Sequence, residues 1–196
     1  MVRYEEFIRK FAGEFAENSV IDPEDFPDME LYADQVAELI NARLAVYGKK
    51  RLLTASMIND FVKKGLLRAP QKKKYDRGQM IMMELILCLR AAYTPEDVAA
   101  VMRPFVENSK TVFDEKIDFE SLYKALFPLY MQQRREAADR IVARVDVIKE
   151  AMREFGLDDD DTIEIFLVLL SMAAEADTAM YIGKRVLREY FDDSQR

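Results

Sequence analysis

The chain has no histidine and no tryptophan, and Cys88 is its single cysteine. Without histidine there is no Ser-His-Asp or Cys-His catalysis, and one thiol makes no zinc finger, thiolate cluster or internal disulfide. Cys88 has leucine on both sides in the run MELILCLRAA. A small buried apolar residue is the ordinary reading of such a position, and a reactive thiol the rarer one. Glycine and proline are also scarce, at six each, while Ala, Leu, Glu, Lys, Arg and Met are plentiful, which favours helix. No apolar run reaches the roughly 18 to 20 residues of a membrane span, and the most apolar window, 163–174, is shorter. The N-terminus alternates charge with aromatics and has no apolar centre of the signal-peptide kind, so a cytoplasmic protein is expected. Only carboxylates remain for enzymology, and carboxylates more often make a solvated face. No enzymatic activity and no cofactor are expected.

What is present is an ordinary globular balance, half apolar and one third charged, over 196 residues. That is one domain or two small ones, enough to bury a core. The charge is unevenly spread. Residues 49–77 carry ten basic side chains against Asp60 and Asp76, a local +8 in a chain of net −7, so the remainder stands at −15. An anionic polymer is the first reason to consider for such an island, and pairing with the protein's own acidic surface is the second.

Along the chain, residues 2–16 read as a helix with Tyr4, Phe7, Ile8, Phe11 and Phe15 on one face. Such a stripe is most often core, packed on a later helix or on a partner chain. Residues 18–28, with Pro23 and Pro27, read as a connecting loop. A second helix is expected from Asp28 or Glu30 to about Val46, burying Leu31, Val36, Leu39, Ile40 and Leu44, with Gly48 ending it. Thr54 is placed to cap the next helix, whose Met57, Ile58, Phe61 and Val62 share a face opposite Ser56, Asn59, Asp60, Lys63 and Lys64. Gly65 supplies a left-handed stop, Leu66 and Leu67 return to the core, and 66–68 could pair with 73–75 as a basic hairpin. From Arg77 to about Ala92 the chain is apolar nearly all round apart from Glu84, which predicts the central helix of the core. Thr94-Pro95-Glu96-Asp97 opens another helix, with Pro104 expected to disturb its last turn. Beyond a polar connector at 108–116, further helices are expected at about 118–128, broken or kinked by Pro128, then 129–155, 162–174 and 178–191.

About 50 of the 196 positions, running through Thr94, resemble the winged helix-turn-helix of the MerR family of transcription regulators. Ile58 and Phe61 stand where that family places framework residues of its recognition helix, Gly65-Leu66-Leu67 matches its Gly-Leu-Leu, and Lys73 and Tyr75 replace an Arg-x-Tyr of its wing. Met83, Ile86, Leu89 and Arg90 fall on its next helix. Asn59 and Asp60 replace an arginine and a tyrosine of the pattern, and the metal-sensing cysteines are absent. More closely, residues 32–44 and 52–75 are similar to an uncharacterised Firmicutes family, a domain of unknown function. The second half does not look like the long dimerisation helix of the MerR family. The fold expected is all-α, an N-terminal helix and a MerR-like winged helix-turn-helix with one small β-hairpin wing over residues 1–107, joined to a helical C-terminal module over 108–196 that would dimerise or take an effector.

The function this implies is that of a bacterial transcription regulator. A recognition helix (54–64) and a basic wing (66–77) would bind duplex DNA, and the chain would act as a homodimer. Thr54, Ser56, Asn59, Lys63, Lys64, Arg68, Lys72, Lys73, Lys74, Tyr75 and Arg77 are the candidate DNA-binding residues. Asn can read adenine and Lys guanine in the major groove, while wing cations would track phosphate. The methionines suit helix packing, and a Met- and Phe-rich module could also adapt to a small apolar effector. Two rivals come from other classes. One is an adaptor using the winged domain on an acidic partner. The other is an all-helical metal-dependent hydrolase, for which Asp158–Asp161 do not converge on one ion because neighbouring helical residues point apart.

Overall fold

The computed structural model describes residues 4–44, 53–107, 119–157 and 161–191. At its centre is α4 (Arg77–Arg90), opened by a reciprocal cap. The Gln79 N–H donates to Asp76 Oδ1 at 2.8 Å, and the Asp76 N–H donates to Gln79 Oε1 at 3.1 Å. Met80, Ile81, Met83 and Ile86 of α4 are fully buried, as expected of a helix apolar on nearly every side. Around it lie α2 (Ala33–Arg43), α3 (Ala55–Lys63) and α5 (Pro95–Glu107). The first turns of a 36-residue helix, α6 (Phe119–Glu154), also enter this core through Tyr123. Thr54 caps α3 as expected, accepting from the Met57 N–H at 3.2 Å, and Gly65 takes φ +68° to end the turn beyond it. Thr94 and Asp97 exchange backbone-to-side-chain bonds at the start of α5.

Several expectations need correction. The strand Lys74–Tyr75 (β2) pairs not with 66–68 but with Leu31–Tyr32 (β1), antiparallel, Leu31 facing Tyr75. Leu66 and Leu67 are too apolar to lie along an edge and sink into the core, while the Arg68 carbonyl accepts from Gln79 Nε2 at 3.0 Å. The second helix therefore starts at Ala33, after the strand. Residues 19–30 are more than a connector, because Ile21 and Phe26 are core residues held by a short 3-10 turn at Pro23–Asp25. Pro104 and Pro128 sit inside continuous helices. The helices expected at 162–174 and 178–191 are one 31-residue helix, α7 (Asp161–Phe191). No glycine or proline separates the halves, and Thr178 Oγ1 bonds back to the Ala174 carbonyl at 2.8 Å instead of capping a new start. The Gly48 stop and the 108–116 connector lie outside the described residues.

Beyond the core, α6 is a shaft with α1 (Tyr4–Asn18) along one flank and α7 along another. Ion pairs set both directions. Arg135 binds Glu17 through two bonds of 2.8 and 3.1 Å, Arg9 reaches Asp146 at 3.8 Å, and Lys149 meets Glu5, so α1 runs antiparallel to α6. Arg140–Glu175 at 3.4 Å and Lys149–Glu164 at 3.9 Å run α7 antiparallel to α6 as well. The two flanking helices meet where Tyr4 hydrogen-bonds Glu164. The aromatic stripe of α1 is not sealed inside: Phe7, Phe11 and Phe15 border an open cleft.

Core and shaft are joined at a buried carboxyl group. Glu84 is 0 % exposed. Its Oε1 accepts from the Ile21 N–H at 2.7 Å, and its Oε2 lies 2.7 Å from the Tyr123 hydroxyl, which is also 2.7 Å from the Ile21 carbonyl. One phenolic proton cannot serve two acceptors. If Glu84 carries a proton, it donates to Tyr123 and Tyr123 donates to Ile21, and every group is satisfied. Burial pushes the Glu84 carboxyl up to about 7, against the bonds from Ile21 and Tyr123 and the charge of Arg134, which pull the other way. Burial likewise raises the Tyr123 hydroxyl and the Cys88 thiol, and takes Tyr130 up to about 12.

The folded chain therefore holds a proton on Glu84 that the unfolded chain releases near the ordinary value of 4.5. The resulting stability is complete below about pH 4.5, is lost as pH rises toward 7, and amounts to about 3 kcal/mol. From this contribution, the thermal midpoint should fall by on the order of 8 °C between pH 5 and 7.5. E84Q keeps both contacts, with its amide donating to Tyr123, and should remove that slope. Circular-dichroism melts across pH test this, and identical slopes for the two proteins would refute it.

Candidate nucleic-acid interface

The basic island divides into two groups when its side chains are followed individually. On α3, Ser56, Asn59, Asp60, Lys63 and Lys64 are exposed on the face opposite the buried Ile58 and Phe61. Lys63 lies 3.9 Å from Asp60, so part of its charge is offset locally. The position of α3 is set by Asn41 on α2, whose side-chain amide donates to the Leu53 carbonyl at 2.8 Å and accepts from the Leu53 N–H at 3.0 Å. That two-bond clamp, with Ile58 and Phe61 in the core, presents the polar face of α3 outward. Thr54 is half-buried and spends its hydroxyl on the cap.

The second exposed group sits on the turn before β2. The Lys74 N–H donates to the Gln71 carbonyl at 2.8 Å, and the two central residues, Lys72 and Lys73, have φ of 47° and 65°. Two consecutive positive values describe a turn of the I′ type, for which Asn-Gly is the usual occupant. Here both places are lysines, and both side chains are exposed. Lys74 is half-buried, its ammonium 5.2 Å from the Tyr32 ring.

Arg68, Tyr75 and Arg77 are turned to other work. Arg68 donates to the Phe105 carbonyl at the end of α5, at 3.3 Å. Tyr75 is buried in the core, which raises its hydroxyl above the ordinary value. Arg77 donates to the Pro23 carbonyl at 2.8 Å, pairs with Asp28 and reaches Glu120 at 3.4 Å, tying the 19–30 segment and α6 to α4. The exposed candidates are thus Ser56, Asn59, Lys63 and Lys64 on the helix and Lys72 and Lys73 on the turn. Lys49, Lys50 and Arg51 lie outside the described residues, as do Asp158–Asp160. Among the described residues, no group of three or more acidic, histidine or cysteine side chains could hold a metal ion.

Two features escaped the reading of the sequence. Glu84 was visible as the lone acid in an apolar run, but nothing local pointed to Ile21 and Tyr123 as its partners. The second is the outer face of α7. As one helix rather than two, α7 is long and apolar enough to cross a membrane by length and composition, although one side of it lies against α6 and α5.

The class defined by these elements is a mostly helical domain around α4 with a two-stranded ribbon and a projecting helical shaft. A family model described as Domain of unknown function (DUF1836) matches residues 21–126, just over half the chain, and the protein belongs to that family. The matched span begins at Ile21 and includes Glu84 and Tyr123, so the buried clamp lies within it, whereas α1, most of α6 and α7 lie outside. No curated protein and no solved structure matches the chain.

Lysine in the left-handed region costs about 1 kcal/mol or more per residue relative to glycine. The double variant K72N/K73G should therefore raise the thermal midpoint by on the order of 4 °C. A calorimetric midpoint that is unchanged or lower would contradict the turn geometry.

Proposed function

We propose that this protein is a duplex-DNA-binding transcription regulator of the MerR-like winged type, acting as a homodimer. The observation that carries the reading is the turn at Lys72 and Lys73. Two adjacent lysines occupy a backbone conformation that glycine and asparagine adopt more easily, and both project into solvent. Locally unfavourable backbone at an exposed tip points to a requirement for the side chains, and paired ammonium groups suit phosphate. In addition, α3 offers Asn59, Lys63 and Lys64 on one exposed face, the residue types that bond adenine and guanine edges in a major groove. In this reading Lys72 and Lys73 grip the backbone while Ser56, Asn59, Lys63 and Lys64 meet the groove. Thr54, Arg68, Lys74, Tyr75 and Arg77 hold the platform in shape. Two copies reading a palindromic site would supply the specificity that one nine-residue helix lacks.

A second reading rests on Asp60, exposed on the same face as Asn59, where phosphate would repel it. It makes the chain a protein-interaction adaptor whose cationic helix and turn meet an acidic partner.

Fluorescence-anisotropy titrations of duplex DNA from the protein's own promoter region, between 50 and 200 mM salt, separate the two. K72A/K73A should weaken binding to every sequence and shallow the log–log salt slope by about 1.8, since each phosphate contact contributes about 0.9. N59A should cost on the order of tenfold on the specific site and little on random duplex. Binding no better than that of random-sequence DNA at low salt would overturn the regulator and leave the adaptor.

A further inference from the structure

Among the described residues, nothing covers the outer face of α7. Phe166, Leu170, Ala173, Asp177, Tyr181 and Lys184 form one exposed stripe, at steps of four, three, four, four and three residues. Those steps average 3.6, the period of the helix itself, so the six residues stay on one face along five turns. Phe166 is 61 % exposed, Leu170 54 % and Tyr181 67 %. The cleft beside the stripe, about 640 Å³ and almost wholly apolar, lies between α7 and α1 and is walled by Phe7, Phe11 and Leu169. A monomer in water rarely leaves so much contiguous apolar surface bare.

We propose that this face binds the same face of a second copy, the two α7 helices crossing antiparallel about a two-fold axis near Ala173–Asp177. Self-pairing is favoured because ridge and cleft lie side by side on one surface, so one copy's ridge can enter the other's cleft reciprocally. Direction follows from charge. In a parallel pair Asp177 would face Asp177 and Lys184 would face Lys184, like against like. Antiparallel pairing sets Phe166 and Leu170 of one copy opposite Lys184 and Tyr181 of the other. It also brings the acidic start of the helix, at Asp161, toward the basic end that carries Lys184, Arg185 and Arg188. The size is of the right order. A helix of 31 residues is about 46 Å long and 10 to 12 Å wide. It therefore offers roughly 500 Å² per copy, and the α1 aromatics extend this toward the roughly 800 Å² per partner of a stable complex.

A bilayer is the other surface an apolar helix could meet, and the fold argues against it. The inner side of α7 is bound to a charged shaft, with Glu164 and Glu175 paired to Lys149 and Arg140 of α6, and Gly183 closely apposed to Tyr93. Entering hydrocarbon would require stripping α7 from those partners.

The proposal names the interface of the homodimer expected above, and it is tested without DNA, so its failure is separate from any failure of duplex binding. Sedimentation equilibrium of the full chain should give twice 22.8 kDa, and F166E/L170E should give the monomer mass with an unchanged circular-dichroism spectrum and melt. In a C88S background, A173C/D177C should form an interchain disulfide under mild oxidation, whereas Y181C alone should not, because its two copies lie far apart in an antiparallel pair. A wild-type monomer, a dimer that survives F166E/L170E, or cross-linking through Y181C would each overturn the proposal. So would a monomeric wild-type chain that floats with phosphatidylglycerol vesicles, which would assign the face to lipid.

Discussion

The carboxyl of Glu84, with its two bonds to Ile21 and Tyr123 and the third that joins those two residues, holds this molecule in one piece. It touches the backbone of the segment after α1 through Ile21, and it touches α6 through Tyr123. Once Tyr123 is fixed, the direction in which α6 leaves the core is fixed, and with it the lines along which α1 and α7 lie. A hydrophobic contact at that point would supply comparable burial energy but no preferred orientation. A hydrogen-bonded group with all its valences matched tolerates only one arrangement. Arg77 repeats the arrangement nearer the surface, bonding the same segment and the same helix from the start of α4. Two anchors about two turns apart on α4 resist both rotation and sliding of the shaft.

The charged surface follows a division of labour that the raw count of basic residues conceals. Arg68 and Arg77 turn inward and bond carbonyls or carboxylates, as suits a planar group with several fixed donors. The lysines at 63, 64, 72 and 73 stay in water. A local charge of +8 therefore overstates the cationic field available to a partner. Among the described residues, the part that remains sits on two supports, a helix clamped through Asn41 and the turn that leads into β2.

Much of the core was legible in the sequence because its signals are local. The cap at Thr54, the left-handed stop at Gly65, the paired leucines at 66 and 67 and the apolar run of α4 each determine their own neighbourhood. Errors arose where a distant partner outweighed a local preference. Pro128 looked like a break, yet the helix around it is anchored on one side by Tyr123 and on the other by α1. The polar run Glu175-Ala176-Asp177 looked like a boundary, yet Arg140 takes up Glu175 and Thr178 bonds back into the turn. The partner of β2 was misassigned for a related reason. Leu66 and Leu67 gain more from burial than from strand pairing, and Leu31–Tyr32, more than forty residues earlier, takes the vacant edge. The exposed residues of the candidate interface were legible as residue types, whereas the inward turn of Arg68, Tyr75 and Arg77 depends on partners at Phe105, the core and Pro23.

Gly183 gives α7 the geometry of a lever. The absence of a side chain lets the helix rest against the Tyr93 ring, where any Cβ would collide. From that resting point to Asp161 the helix extends for 22 residues, about 33 Å. At that length a tilt of roughly 10° about the glycine would displace the far end by on the order of 6 Å, and the pairs Arg140–Glu175 and Lys149–Glu164 are placed to oppose it.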